Sequence, residues 1–381
     1  MVRNITGRSL KSEVKTFLIL GGYGTAGLNL ARLLIQHTPS KVILAGRNRE
    51  RAEQTAQELN REFTGDRASG GFADAEHQET IVTALRGVDM LVVCSTSNSG
   101  VEPIARAALE VGVDYLDILY PAHVVATLEK LRSEIEHSGS CFITQAGVHP
   151  GLSAPLIIKA ASQFTHCCKA QAAIKINSPT MGSRAAVMEL LADMDAFKPG
   201  FYRNGKWQSC SYKDSRKFDF GVLGVHPCIP MDLPELKPLP ERFGLEEVGL
   251  WMAGFNWFVD YVVFSICAMF AKIGKGFGLG LVADLFDWGM KTFSRPPFGI
   301  VCKVEVDGEQ NGMEKKLEIS ISHTDGYFFT ASAVAACLMQ YLEQKDTKSG
   351  LFLMGLWVDA NRLFEDMKRM GIEIQTKELP L

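Results

Sequence analysis

The residues whose types and spacing most clearly suggest chemistry are Gly22-Tyr23-Gly24-Thr25-Ala26-Gly27, which follow the apolar run Phe17-Leu18-Ile19-Leu20. In a G-x-G-x-x-G turn between a strand and a helix, the first glycine lets the chain turn tightly and the second lets backbone approach a pyrophosphate. The third lets the helix pack closely on the sheet. The amino end of such a helix offers free N–H groups and a partial positive charge to phosphates. A bare motif is weak evidence in a chain with 35 glycines, so its flanks matter. Leu28, Ala31, Leu34 and Ile35 recur at helical spacing, and Val42-Ile43-Leu44-Ala45 reads as a buried parallel strand. Gly22 through Gly27 are therefore the expected phosphate cradle of a dinucleotide.

The choice of dinucleotide is read at the end of the second strand. A site for NAD places Asp or Glu about 20 residues beyond the glycines, to accept hydrogen bonds from the ribose hydroxyls. This chain has no acidic residue between Glu13 and Glu50, and the position carries Gly46-Arg47-Asn48-Arg49. A guanidinium there pairs bidentately with a 2′-phosphate, so NADP is the expected cofactor, with Arg47 and Asn48 at its adenosine end. The bland alternative is that Arg47 and Arg49 form a solvated helix start.

Further candidates stand where loops leave the carboxyl ends of later strands, the edge that faces the cofactor cleft. Ser95, Thr96 and Asn98, after the strand Met90 to Cys94, offer hydroxyl and amide groups there, or ordinary strand-end capping. Asp74 follows the third strand and either caps the next helix or contacts adenine. Tyr120 and His149 follow two later strands, and each could give a proton to an atom that gains charge when hydride is delivered next to it. A histidine beside a Pro-Gly turn is often structural, and orientation of the reactants alone is the competing source of catalysis.

These residues need a framework, and the chain is long enough for two domains. From Lys15 to about Pro150 strands and helices alternate, which predicts a doubly wound parallel sheet of the Rossmann type. The third strand, Ala68 to Phe72, is the least regular because it holds two glycines, and Ala122 to His137 reads as one helix ended by Gly139. After Pro150 the pattern changes. Ala170 to Ile176 alternates, Tyr202 to Trp207 reads as a hairpin around Asn204-Gly205, and Val301 to Val306 faces Lys316 to Ser322. Val225 to Pro240 holds five prolines and reads as an irregular connector. Helical pattern resumes from Phe328 to Glu343 and from Trp357 to Gly371. The expected organisation is a lead-in over 1–14, a nucleotide-binding domain over 15–150 and 328–381, and an inserted α+β domain with an antiparallel sheet over 151–327, which carries the substrate and any dimer contact.

Composition narrows the function classes. Forty basic against 43 acidic residues, with no basic block, argue against a nucleic-acid partner. The nine cysteines form no C-x-x-C and read as buried thiols of a reducing compartment, hence a cytoplasmic protein. The eight histidines never fall three or four apart, so no metal site is expected.

The chain resembles the saccharopine dehydrogenase-like oxidoreductases along nearly its whole length. The resemblance rests on the glycine turn, on Gly46-Arg47-Asn48, on Gln145-Ala146-Gly147-Val148-His149-Pro150-Gly151-Leu152-Ser153, and on Asp325-Gly326-Tyr327 with Thr330. It implies an NADP-binding Rossmann domain, an inserted substrate domain, and hydride transfer to amino-acid imines, polyamine-related substrates or lipid-linked double bonds. It therefore narrows the cofactor more than the substrate.

One segment bears on the substrate. Between Val248 and Ala271 the only charged residue is Asp260, and apolar, glycine-rich sequence continues to Phe286 beyond Lys272 and Lys275. A carboxylate at mid-bilayer costs several kcal/mol, roughly, which argues against a span. The open placements are a buried helix lining a pocket or a dimer contact, attachment of 248–286 to a membrane or lipid surface, and a true span. The first two favour a hydrophobic or amphiphilic small molecule over a small dicarboxylate, for which only Arg184 and Lys175 suggest themselves as cations. The competing function class is a nucleotide-binding scaffold without turnover.

Overall fold

The computed structural model describes residues 14–95, 100–192, 199–274, 276–344 and 348–379. Its strands are β1 (Thr16–Leu20), β2 (Lys41–Gly46), β3 (Ala68–Phe72), β4 (Met90–Val93), β5 (Asp114–Asp117), β6 (Cys141–Thr144), β7 (His166–Asn177), β8 (Gly200–Arg203), β9 (Lys206–Ser209), β10 (Arg216–Asp219), β11 (Val225–Met231), β12 (Glu247–Ala253), β13 (Gly299–Gln310), β14 (Met313–His323), β15 (Gly350–Leu353) and β16 (Glu373–Leu379). They form two sheets. The first is wholly parallel, in the order β15-β6-β5-β4-β1-β2-β3. Its order reverses between β1 and β4, and a crevice for a ligand opens at such a switch point. The second sheet runs β10-β11-β12-β7-β13-β14-β16, with β8 also on β12 and β9 on β8. Its pairings are antiparallel except that of β12 with β7.

Strands buried on both faces explain the unbroken apolar runs of the first sheet. Phe17 and Ile19 point to one face with Leu30, Leu34 and the helix Gly326–Glu343, while Leu18, Leu20, Leu91 and Val93 point to the other with Ile104 and Val124. The first of these clusters does not stop at the sheet. It runs through the helix Ser153–Ala161, with Leu156 and Ile157 buried, into the inner face of the second sheet at Ala172, Ile174, Leu250, Val304 and Ile319. The two sheets thus share one core, with helices as the middle layer.

β3 owes its irregular sequence to the helix Arg49–Glu62, which lies directly on it. A Cβ at Gly70 would come within 2.3 Å of the Glu53 backbone nitrogen. The hairpin turns at Asn204 (φ +52°) and Gly205 (φ +80°), both left-handed, as an Asn-Gly loop between two strands requires.

Several expectations are corrected. Val225–Met231 is a strand, not a connector. Pro227 pairs with β10 alone and Pro230 with β12 alone, so neither removes a donor from a stretch bonded on both sides. Ala122 to His137 is two helices, Ala122–Lys130 and Arg132–Ser138, joined at Leu131. The apolar segment is not one helix. Its first part is β12, followed after Gly254 by a π-helical turn, Val259–Val263, and the helix Phe264–Ala271. Asn256 Oδ1 accepts from the N–H groups of Phe258 and Val259, which starts the helical part there. Among the described residues no helix is long and apolar enough to cross a membrane. The chain end divides between the sheets: β15 completes the parallel sheet, whereas β16 pairs with β14 in the second, so 373–379 departs from the expected nucleotide-binding segment.

Candidate functional site

The glycine turn sits at the switch point. The left-handed residue is Gly21 (φ +85°), whose N–H donates to Ala45 O at 2.8 Å, so the tight turn falls one residue earlier than the motif suggests. Gly22 instead makes a close approach, since a Cβ there would lie 2.9 Å from Leu44 Cα. At Gly27 a Cβ would lie 2.5 Å from Gly21 O, and this is the contact that seats the helix Thr25–His37. Gly24 is exposed and occupies the N-cap position without a side-chain cap, and the first turn, with Thr25 and Ala26, carries no acid. The N–H groups of that turn are free to bind an anion.

The adenosine end is built by β2 and its loop. Tyr23 packs over Gly46, its hydroxyl accepts the Asn48 N–H at 3.1 Å, and the Arg51 guanidinium lies 5.1 Å from its ring centre. Asn48 Oδ1 accepts the Arg51 N–H at 2.9 Å, so this side chain caps the helix Arg49–Glu62. Arg49 pairs with Glu53 at 2.8 Å. Arg47 is exposed and has no ion-pair partner among the described residues, which leaves its guanidinium for a phosphate. Asp74 also acts locally: its Oδ1 accepts the Glu76 N–H at 3.1 Å and its Oδ2 lies 3.3 Å from His77 Nδ1. Ser95 abuts the Gly21 turn, and its buried hydroxyl has no partner among the described residues. Thr96 and Asn98 lie outside the described residues.

A cavity of about 530 Å³ opens past the ends of β5 and β6. Tyr120, Gln145 and His149 face it from the parallel sheet. The second sheet supplies the opposite wall through Ile229, Met231, Met252 and Phe255, and Leu190 and Phe264 close it from the helices. Among the described residues no lysine or arginine lines it, and the one carboxylate that does, Asp232, pairs with Lys237. Lys175 is buried with its ammonium donating to Phe255 O at 2.9 Å and to Gly254 O, so it braces the wall instead of entering the cavity. Arg184 pairs with Asp284 at 2.7 Å. Neither cation converges on the cavity.

The loop bearing His149 is held between two buried carboxyls. Asp117 Oδ1 accepts the N–H groups of Leu119 at 3.0 Å and Gln145 at 3.2 Å. Glu235 Oε1 accepts the Gly151 N–H at 3.3 Å, and the carboxyl also takes bonds from Ser153 and Ala154 at the start of the helix Ser153–Ala161. Gln145 (φ +56°) and Gly151 (φ +128°) are left-handed, and the His149-Pro150 peptide is cis. Burial pushes Asp117 up to about 6 and Glu235 up to about 7, and pulls His149 down to about 4. His149 is therefore a neutral imidazole near neutral pH, able to donate or accept one hydrogen bond but not to act as an imidazolium acid. Its Nδ1 and Gln145 Oε1 are buried without partners among the described residues, and unpaired polar atoms beside a cavity are groups a ligand can satisfy.

Tyr120 and His149 were legible as loop residues beyond parallel strands. Gln145 occupies the equivalent place after β6 and is recognisable by the same rule. Glu235 lies within the proline-rich stretch, where nothing in the sequence signals its burial.

Comparison with known proteins adds a match over the nucleotide-binding part. Residues 17–143 match the model of the saccharopine dehydrogenase NADP binding domain. Among solved structures, the chain is similar to apo saccharopine dehydrogenase (L-Glu forming) from Saccharomyces cerevisiae, at 12% identity and a TM-score of 0.69 over 96% of this chain and 100% of that one. A looser similarity links it to biliverdin reductase in complex with biliverdin and NADP+ from Synechocystis sp. PCC 6803, at 12% identity and a TM-score of 0.38 over 93% of this chain and 96% of that one. No curated protein sequence matches it. The first structure shows the fold, and the family model shows the cofactor to be NADP(H).

If Arg47 holds the 2′-phosphate, Arg47→Ala weakens NADPH binding at least tenfold and leaves NADH unchanged, while Arg49→Ala does neither; calorimetric titration checks this, and equal losses for both cofactors would remove the assignment. Glu235 titrates higher folded than unfolded, so its contribution to stability is lost as pH rises through about 7. From pH 6.5 to 8 chemical denaturation should show a loss on the order of 1 kcal/mol in the wild type that Glu235→Gln abolishes.

Proposed function

Because the chain carries the NADP-binding domain of the saccharopine dehydrogenase family within a saccharopine dehydrogenase fold, we propose that it is an NADP-dependent oxidoreductase acting on an unsaturated C=N or C=C centre of an apolar or amphiphilic small molecule. The observation that carries this reading is the cavity: about 530 Å³, walled by Ile229, Met231, Met252, Phe255 and Phe264, with Tyr120, Gln145 and His149 facing it from the parallel sheet and, among the described residues, Asp232 as its one carboxylate and no lining cation. A substrate rich in carboxylates needs convergent Arg or Lys, and both candidates are spent elsewhere. That counts against an opine-type amino-acid imine.

The bound dinucleotide supplies hydride. Arg47, the amino end of the helix Thr25–His37 and Ser95 hold it, and the apolar wall orients the acceptor and excludes water. Tyr120 and His149 stand on the polar side. The Tyr120 hydroxyl is the group we assign to protonate the atom adjacent to the reduced one. His149, neutral by burial, positions the acceptor through one hydrogen bond.

Steady-state NADPH oxidation with a series of enones and imines of growing alkyl chain tests the substrate class. KM should fall by up to roughly fourfold per methylene until the cavity is filled, and faster turnover of dicarboxylate acceptors would reverse the reading. Tyr120→Phe should lower kcat roughly a hundredfold with NADPH affinity intact; an unchanged rate would leave orientation as the source of catalysis.

A further inference from the structure

The helical layer outside the cavity is incompletely covered. The helix Phe264–Ala271, with the sequence FSICAMFA, has no buried residue along its length. A helix apolar on every side belongs in a core or against an apolar phase. Its surroundings share the property. Trp257 is 57% exposed, Tyr261 74%, Ile273 64%, Leu281 65% and Trp288 51%. Trp257 and Trp288 are not stray surface rings, since they close an aromatic cluster with Phe258 and Phe293 at centroid distances of 4.9 to 5.6 Å.

We infer that this layer, 257–274 with 276–293, docks on a phospholipid surface, lying in its plane, and that an amphiphilic substrate passes from the lipid into the cavity beneath. The second clause rests on the proposed function; the first does not. Three observations select lipid over another protein surface. Trp and Tyr accompanying aliphatic residues is the composition of a membrane interface. Lys272, at the end of the apolar helix, is exposed and has no ion-pair partner among the described residues, so it is available to a lipid phosphate. The patch is continuous with the cavity, because Phe264 lines the cavity and belongs to the exposed helix, and Phe255, which also lines the cavity, meets it edge to face at a centroid distance of 6.1 Å. The same layer is anchored from beneath by Val259, Val263, Val282 and Phe286, which hold its exposed face in place. The proposed surface thus differs from the 248–286 of the sequence expectation: β12 is buried and takes no part, and exposed apolar residues continue to Trp288.

The test uses the full chain with vesicles of phosphatidylcholine alone and of phosphatidylcholine with phosphatidylglycerol, read by cosedimentation and by quenching of tryptophan fluorescence with brominated lipid. Expected results are pelleting with both, stronger with the anionic vesicles, and quenching in the pelleted protein. The double variant Ile273→Glu with Leu281→Glu should lower the partition coefficient at least tenfold while NADPH binding is unchanged. Val222→Glu, on an exposed residue outside the layer, should change neither. Failure of the wild type to bind either vesicle would overturn the inference, as would binding indifferent to the double variant. A stable dimer by light scattering that the double variant dissociates, with no vesicle binding, would assign the patch to a second copy. Vesicle binding without any NADPH oxidation would leave the docking surface standing and count against the function alone.

Discussion

The buried layer between the two sheets is the constraint on which the rest of the molecule depends. The helices Ser153–Ala161 and Gly326–Glu343 are covered on both sides, by the parallel sheet and its helices on one and by the inner face of the second sheet on the other. An apolar layer of that kind admits only close packing, so the second sheet cannot drift relative to the nucleotide crevice without opening voids. Its edge, where Ile229 to Pro234 and Met252 to Phe255 emerge, is thereby fixed opposite Tyr120 and His149. The cavity is what remains between two rigid walls.

Polar interactions at this junction are few and specific. Glu235 reaches from the second sheet's side to the amino end of the helix Ser153–Ala161, where its carboxyl meets N–H groups that no intrahelical carbonyl can satisfy. Asp117 does the corresponding work from β5, holding Gln145 and the loop that follows. Each carboxyl bears a desolvation cost, visible as a raised pKa, and each in return fixes a loop containing left-handed residues. A loop held this way presents His149 and Gln145 to the cavity with polar atoms that have no partner among the described residues.

The nucleotide half was legible because its signals are local. A strand, a glycine turn, a helix and an acid-free interval to Arg47 all fall within one crossover unit. The sequence even ranked Arg47 with Arg49, and only the ion pair to Glu53 separates them. The second half was less legible because its determinants lie far apart in sequence. Whether Val225–Met231 could be a strand depended on which of its edges meets a neighbour, and prolines in a connector and prolines in a partly paired strand look the same. The apolar segment misled for a related reason. Strand β12 is buried on both faces and so carries no alternation, which makes it indistinguishable from a buried helix until its pairing with β7 is known. Lys175 looked like a substrate cation, but its fate was decided by the carbonyls of Gly254 and Phe255, 79 and 80 residues away.

The proposed hydride transfer requires the nucleotide crevice and the apolar cavity to be one site. Isotope transfer tests this: the protein is supplied with NADPH deuterated at C4 on each face in turn, together with a long-chain enone or imine, and the acceptor is analysed by mass spectrometry. Deuterium is expected in the reduced apolar product from one face of the cofactor only. Tight NADPH binding with no deuterium in any apolar acceptor, or transfer confined to acceptors bearing several carboxylates, would contradict it.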